Sequence, residues 1–191
     1  MAFEDLEVRP VTPERWGDLE TLFGEHGADA GCWCMWWRLT RSQFWKQRGQ
    51  KNKEALKAIV DSGQVPGLLA YAGGEAIAWC SIGPRETYSS LERSRTLKRV
   101  DDKPVWSIVC FFVAKPFRRK GLMAPFLKAA VAYAKEQGAK IVEGYPVEPT
   151  KGLPWGSGYM GLAPAFRELG FVEVLRRSET RSIMRYYIGE Q

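Results

Sequence analysis

The chain has 191 residues, 45% of them apolar and 13% aromatic, which suits one domain with a sizeable core. No apolar run approaches the roughly 20 residues that span a bilayer, and the opening MAFEDLEVRP carries acids instead of a signal peptide's apolar stretch, so the cytoplasm is the expected compartment. The net charge of +6 comes from basic residues spread without a tract, which argues against nucleic acid and suits a polyanionic small molecule.

In chain order, Glu7–Val11 reads as a short first strand. Thr12-Pro13 has the form of an N-cap followed by proline at the first helical position. Trp16, Leu19, Leu22 and Phe23 give that helix an apolar side, and it stops near Gly24. Gly31–Arg38, GCWCMWWR, gathers tryptophans, Met35 and two thiols in a short space. It admits two readings: an aromatic-walled substrate site in which Cys32, Trp33 and Trp36 line the wall and Arg38 holds an acidic group, or a satellite core with the cysteines acting as small hydrophobes. Phe44 and Trp45 follow. Asn52–Val60 is the second helix, with Leu56, Ile59 and Val60 inward and Gly63 beyond its end. Val65–Ala72 and Glu75–Ile82 form a hairpin across Gly73-Gly74. GPRETY, Gly83–Tyr88, leaves the sheet; its Arg85 is either a substrate or cofactor contact or a solvated loop arginine. Ser89–Val100 is charged and helical or irregular, and Asp101–Pro104 turns into the next strand.

Val105–Val113 is apolar on both alternating faces, with Val105, Val109, Phe111 and Val113 on one side, and so reads as a central strand. From Leu122 the period becomes helical through Met123, Phe126, Leu127, Ala130 and Ala134, and Gly138 ends the helix. Between them, Phe117-Arg118-Arg119-Lys120-Gly121 places cations and a glycine before a helix N-terminus, either an anion site or a solvated basic turn. Lys140–Gly144 is a further strand, Glu148–Tyr159 a long Pro/Gly-rich loop, Pro164–Leu169 a short helix, and Phe171–Leu175 and Ser182–Ile188 closing strands. The order predicts an α/β (α+β) fold with a sheet of six or seven strands. Cys80 and Cys110 fall on buried strands, which argues for reduced thiols. With His26 as the sole histidine, no metal site is expected.

Val113, Pro116, Arg118 and Gly121, set between a buried strand and an amphipathic helix, resemble the acyl-CoA signature of the GNAT family of N-acetyltransferases. AFRELGF, Ala165–Phe171, resembles the same family's helix beside the CoA thiol. The resemblance covers about Val8 to Tyr187 and implies one domain with a mixed, mostly antiparallel sheet flanked by helices. It implies that the backbone of Phe111, Phe112 and Val113 pairs with the pantetheine arm. The turn from Arg118 and Arg119 through Lys120, Gly121, Leu122 and Met123 then holds the pyrophosphate, with Met123 standing where a small residue is usual. Phe166 occupies the position where many relatives carry a tyrosine that protonates the departing thiolate. The implied activity is direct acetyl transfer from acetyl-CoA to an amine, with a small-molecule acceptor, no metal, no nucleic acid and no membrane partner. Region 31–45 then helps form the acceptor pocket.

For that chemistry Glu143 and Glu148 are candidate bases and Tyr145 and Tyr159 candidate acids. Each also reads as an ordinary surface carboxylate or packed tyrosine. Thiol catalysis by Cys32, Cys34 or Cys110 ranks last, since no histidine lies near in sequence to activate it. The alternative function is a catalytically inactive acyl-CoA-binding sensor, motivated by Phe166 and Met123. A homodimer through the closing strands is also compatible with the sequence.

Overall fold

A computed structural model of the chain describes residues 3, 6–149 and 156–189. Its seven-stranded sheet has the order β1-β2-β3-β4-β5-β7-β6. The strands are β1 (Glu7–Pro10), β2 (Leu68–Ala72), β3 (Glu75–Pro84), β4 (Trp106–Val113), β5 (Ile141–Gly144), β6 (Val172–Arg176) and β7 (Ser182–Tyr187). All neighbours are antiparallel except β4 and β5. The parallel pair needs a crossover, and α5 (Met123–Glu136) supplies it. The helices before it are α1 (Trp16–Phe23), α2 (Arg41–Gln47), α3 (Gln50–Asp61) and the single turn α4 (Ser89–Glu92); α6 (Ala163–Glu168) follows.

The mixed, mostly antiparallel sheet expected from the sequence is therefore present, with most element limits shifted by one to three residues. Gly73 and Gly74 both have positive φ and join β2 to β3, as a tight hairpin turn requires. Thr12 caps only a 3-10 turn, Pro13–Arg15, and its hydroxyl accepts from Arg15 instead of from the helix backbone. The sequence reading had no helix at α2. Its start is nevertheless written in a capping box, with the Thr40 hydroxyl accepting from the Gln43 amide and Gln43 Oε1 accepting from the Thr40 amide. Of the loop expected at Glu148–Tyr159, residues 150–155 lie outside the described residues; Tyr159 itself sits in a 3-10 turn, Ser157–Met160.

The two faces of the sheet carry separate cores. Leu68, Ala70, Ala78, Cys80, Ile108 and Phe111 pack with Phe126, Leu127 and Ala130 of α5. Leu69, Tyr71, Trp79 and Phe112 pack on the other face with Trp16, Leu19 and Phe23 of α1 and Leu56 and Val60 of α3. Strict alternation along β4 does not survive. Ser81 pairs with Cys110 and Ile82 with Ile108, so Val109 faces no residue of β3. This bulge puts Ile108 and Phe111 on the same face, and Val109 joins a third cluster with Tyr88, Tyr145 and Met160. No helix among the described residues is long and apolar enough to cross a membrane.

Candidate functional site

The bulge lies where the sheet comes apart. Pairing between β4 and β5 covers only Trp106–Ile108 with Val142–Gly144, and β4 then runs on to Val113 along that edge without a strand partner among the described residues. Its other edge stays bonded to β3 as far as Val113↔Ala78. At the end of this open edge, Arg118 Nε donates to Val113 O at 2.7 Å, fastening the basic turn to the strand. Arg119 and Gly121 have φ of 60° and 79°. A side chain at position 121 would meet nothing within 4 Å, so glycine is there for its backbone conformation, and the space outside is open. Among the described residues, the amides of Arg119, Lys120, Gly121 and Leu122 have no hydrogen-bond acceptor. Four free amides beside three exposed cations, leading into α5, fit a pyrophosphate.

Only the backbone of β4 is available on that edge. The Phe111 ring packs on Phe126 and Phe166, and the Phe112 ring on Phe23. Leu122 is buried in the α5 core and Met123 partly so. Phe166 is fully buried; a Cβ on Gly144 would lie 2.3 Å from its ring and one on Gly161 2.6 Å. The expected cofactor contact at Phe166 is thus a core ring wedged against two glycines. Phe166→Tyr is expected to lose about 1–3 kcal/mol by burying a hydroxyl beside these apolar neighbours, with no gain in turnover. Urea unfolding and a steady-state assay check this; a faster Phe166→Tyr enzyme would show the ring reaching the reacting sulfur.

A cavity of about 550 Å³ opens on the α1–α3 side against the bulge, touching Val109 and Cys110 of β4. Trp36, Trp37, Phe44 and Trp45 supply its aromatic lining, and Asp29, Tyr159 and Arg181 its polar lining. Cys32 and Cys34 line it opposite Cys110. The loop that delivers them is tightly folded. Gly31 N donates to His26 O, Trp33 N to Gly27 O, and buried Asn52 holds Gly31 O at 3.1 Å. Trp33 and Cys34 have φ of 45° and 55°, a left-handed conformation costing roughly 1–2 kcal/mol for each such residue.

That turn sorts the sequence candidates. Cys32 and Trp36 reach the cavity, as expected. Trp33 does not: it is 4% exposed, stacks on Trp16 and meets Phe23 edge-on in the core. Arg38 is not in the cavity lining either; it donates to Pro66 O and Tyr88 Oη and lies over the Tyr88 ring. Tyr159 lines the cavity, and burial, with Asp29 nearby, pushes its hydroxyl up and keeps it protonated. Asp29 and Arg181 were not singled out in the sequence, and no local motif marks them. Phe44 and Trp45 follow the tryptophan-rich segment in sequence, and the signal that could have placed them is the Thr40–Gln43 capping box that starts α2.

Glu143, Tyr145 and Arg85 come together, but not in this cavity. Glu143 is 1% exposed, accepts from Arg85 Nη1 at 2.9 Å and Arg185 Nε at 2.8 Å, and takes the Tyr145 hydroxyl at 2.8 Å. Arg85, also buried, adds Glu92 and Leu97 O, and Arg185 adds Asp101, whose carboxyl it pulls down to about 2. Tyr145 Oη also meets Ser107 Oγ at 2.7 Å; burial, then Glu143, pushes the phenol well above its usual range. Both oxygens of Glu143 accept from buried donors, Oε1 from Arg85 and Tyr145 and Oε2 from Arg185, so it is neither a surface carboxylate nor a free base. Arg85 is not a solvated loop arginine, and Tyr145 is not a free acid. Glu148 is engaged by Arg167 and Arg176. Among the described residues no group of His, Cys, Asp or Glu is placed to hold a metal ion.

Residues 32–149 match the family described as Acetyltransferase (GNAT) family. A search of curated proteins returned no match. Among solved structures, the chain is similar to a GNAT-family acetyltransferase from Listeria monocytogenes (TM-score 0.58, 11% identity, 96% of this chain and 95% of that one). It is also similar to the PaiA N-acetyltransferase from Thermoplasma acidophilum in complex with coenzyme A (TM-score 0.52, 14% identity, 98% and 99% covered). An apo agmatine N-acetyltransferase gives a TM-score of 0.55 at 14% identity, with 97% and 100% covered. At these identities the structures speak for the fold.

Proposed function

The chain belongs to the GNAT acetyltransferase family, and from that premise we propose that it transfers acetyl from acetyl-CoA directly to the primary amine of a small molecule with an apolar or aromatic body. The observation carrying this reading is the bulge at Val109: the open edge of β4 begins there on one side, and the cavity begins there on the other. A thioester held along β4 supplies an activated acyl group at the mouth of the acceptor cavity. The free amides at Arg119–Leu122 and the cations of Arg118, Arg119 and Lys120 bind the pyrophosphate. Unpaired backbone N–H groups of the open edge polarise a carbonyl placed beside them. The aromatic lining takes the body of the acceptor, and Asp29, whose carboxylate has no partner among the described residues, takes its ammonium charge. Tyr159, in place of the missing hydroxyl at position 166, protonates the leaving sulfur. That hydroxyl in the cavity favours turnover over an inactive sensor. The cytoplasm is the compartment we assign, since acetyl-CoA is drawn from there.

The test is calorimetric titration of acetyl-CoA and CoA into wild type and Gly121→Glu. Wild type is expected to bind in the micromolar range. The variant is expected to bind roughly a hundredfold more weakly, because a side chain at positive φ strains the cradle and its carboxylate repels phosphate. No binding by folded wild type would overturn the proposal.

A further inference from the structure

Acetyl transfer to an amine needs a group that takes a proton from the ammonium form of the acceptor, and the glutamates singled out for it are engaged by arginines. The cavity holds a different candidate. Cys34 sits opposite Cys110, 6% exposed, with Trp79 Nε1 donating to its Sγ at 3.2 Å. An indole N–H is a donor only, so the sulfur is held as an acceptor.

We propose that Cys34 is the general base of the reaction, taking the proton from the acceptor ammonium at the cavity's buried side. This rests on the acetyltransferase reading above. Three features single out Cys34 from the neighbouring thiols. It alone receives the Trp79 indole. Its backbone is held left-handed by the loop that Asn52 anchors, so that Sγ faces β4. And its surroundings favour the anion: hydrogen bonding from Cys110 first, then from Trp79 and Ser81, with Arg38 adding positive charge, outweigh burial and bring the thiol down to about 7. The same contacts push the neighbours the other way. Burial, then Cys34, lifts Cys32 to about 12; the bond to Cys34 and burial lift Cys110 well above its usual range. Burial lifts Cys80 as well, and lifts Tyr88 to about 12. The ionisable groups around Cys34 are therefore three thiols and two phenols, Tyr88 and Tyr159, which stay protonated near neutrality, the Arg38 cation, and the Asp29 and Arg181 side chains of the same cavity lining.

The protons balance as follows. One nitrogen proton of the acceptor passes to Cys34 Sγ and leaves the amine neutral. Its lone pair forms the C–N bond to the acyl carbon, and the thioester C–S bond breaks. The departing sulfur takes the Tyr159 hydroxyl proton, and the second proton lost by nitrogen restores Tyr159. Cys34 returns its proton to solvent.

The experiment compares wild type, Cys34→Ser and Asp29→Asn. Thiolate absorbance at 240 nm in wild type is expected to rise with a midpoint close to pH 7, and Cys34→Ser to lack that step. With acetyl-CoA as donor and 2-phenylethylamine, within a panel of primary amines, as acceptor, the wild-type rate is expected to climb through the same midpoint. Cys34→Ser should lose this limb and fall roughly a hundredfold to ten-thousandfold in kcat while binding CoA unchanged. Asp29→Asn should raise KM and keep the limb. Absence of the absorbance step, an unaltered pH limb in Cys34→Ser, or a kinetically competent acetyl adduct on Cys34 would each overturn the base assignment. Transfer without a titrating thiolate sinks the base alone; a titrating thiolate with no transfer to any amine sinks the acetyltransferase reading and the base with it.

Discussion

Glu143→Ala is expected to destabilise the protein by about 3–5 kcal/mol, out of a total that for most domains is only about 5–15 kcal/mol. Among the described residues the carboxylate is the one anion in contact with both Arg85 and Arg185, each 3% exposed or less. Removing it leaves two buried guanidiniums with their remaining anions, Glu92 and Asp101, only at the periphery. It also strips the Tyr145 hydroxyl of an acceptor. Glu148→Ala, which breaks the more exposed pairs to Arg167 and Arg176, should stay within about 1 kcal/mol. Urea unfolding of both variants checks the contrast. Equal, small losses would mean that water reaches the Glu143 cluster and that it is not the sheet's buried anchor.

Trp79→Ala is expected to cost a similar amount, about 3–5 kcal/mol. The ring is fully buried, meets Phe23 edge-on, and lies so close to Gly67 that a Cβ there would come within 2.6 Å of it. Trp79→Phe separates packing from hydrogen bonding. It keeps most of the ring, so its stability loss should be clearly smaller, but it withdraws the N–H from Cys34 Sγ. Alkylation of Cys34 by iodoacetamide at neutral pH should then slow several-fold, since a thiol that loses a donor ionises later. An unchanged rate would mean that Cys110, Ser81 and Arg38 lower the Cys34 thiol without help from the indole.

Much of the fold was legible because local signals agreed with the global one. Apolar runs marked the strands, Gly73-Gly74 marked the hairpin, and the change of period at Leu122 marked α5. The bulge was not legible: Val105–Val113 is apolar at nearly every position, so no polar residue records where the alternation slips. The charged cluster was hidden for a different reason. Glutamate and arginine are usually solvated, and Arg185 lies 42 residues beyond Glu143 and 84 beyond Asp101, so nothing local announces the pairing. The acceptor cavity was half legible. The crowding of GCWCMWWR pointed to it, but which tryptophan faces inward depends on left-handed backbone at Trp33 and Cys34, which side-chain chemistry does not reveal. Thiol catalysis ranked last because no histidine lies near the cysteines in sequence; the donors around Cys34 arrive instead from β3 and β4, far along the chain.

The single parallel seam also bears on how the molecule comes apart. Strands β1 to β4 each pair with the next strand in the chain, whereas β5 joins β4 only across the α5 crossover. Arg85 and Asp101 belong to the first half, Glu143 and Arg185 to the second, so the Arg85–Glu143 and Arg185–Asp101 pairs close only when the halves dock. Interactions completed that late are weak in the folding transition state, so they slow unfolding far more than they speed folding. The buried ion cluster therefore acts as a latch on the native sheet, contributing to its lifetime instead of its rate of assembly.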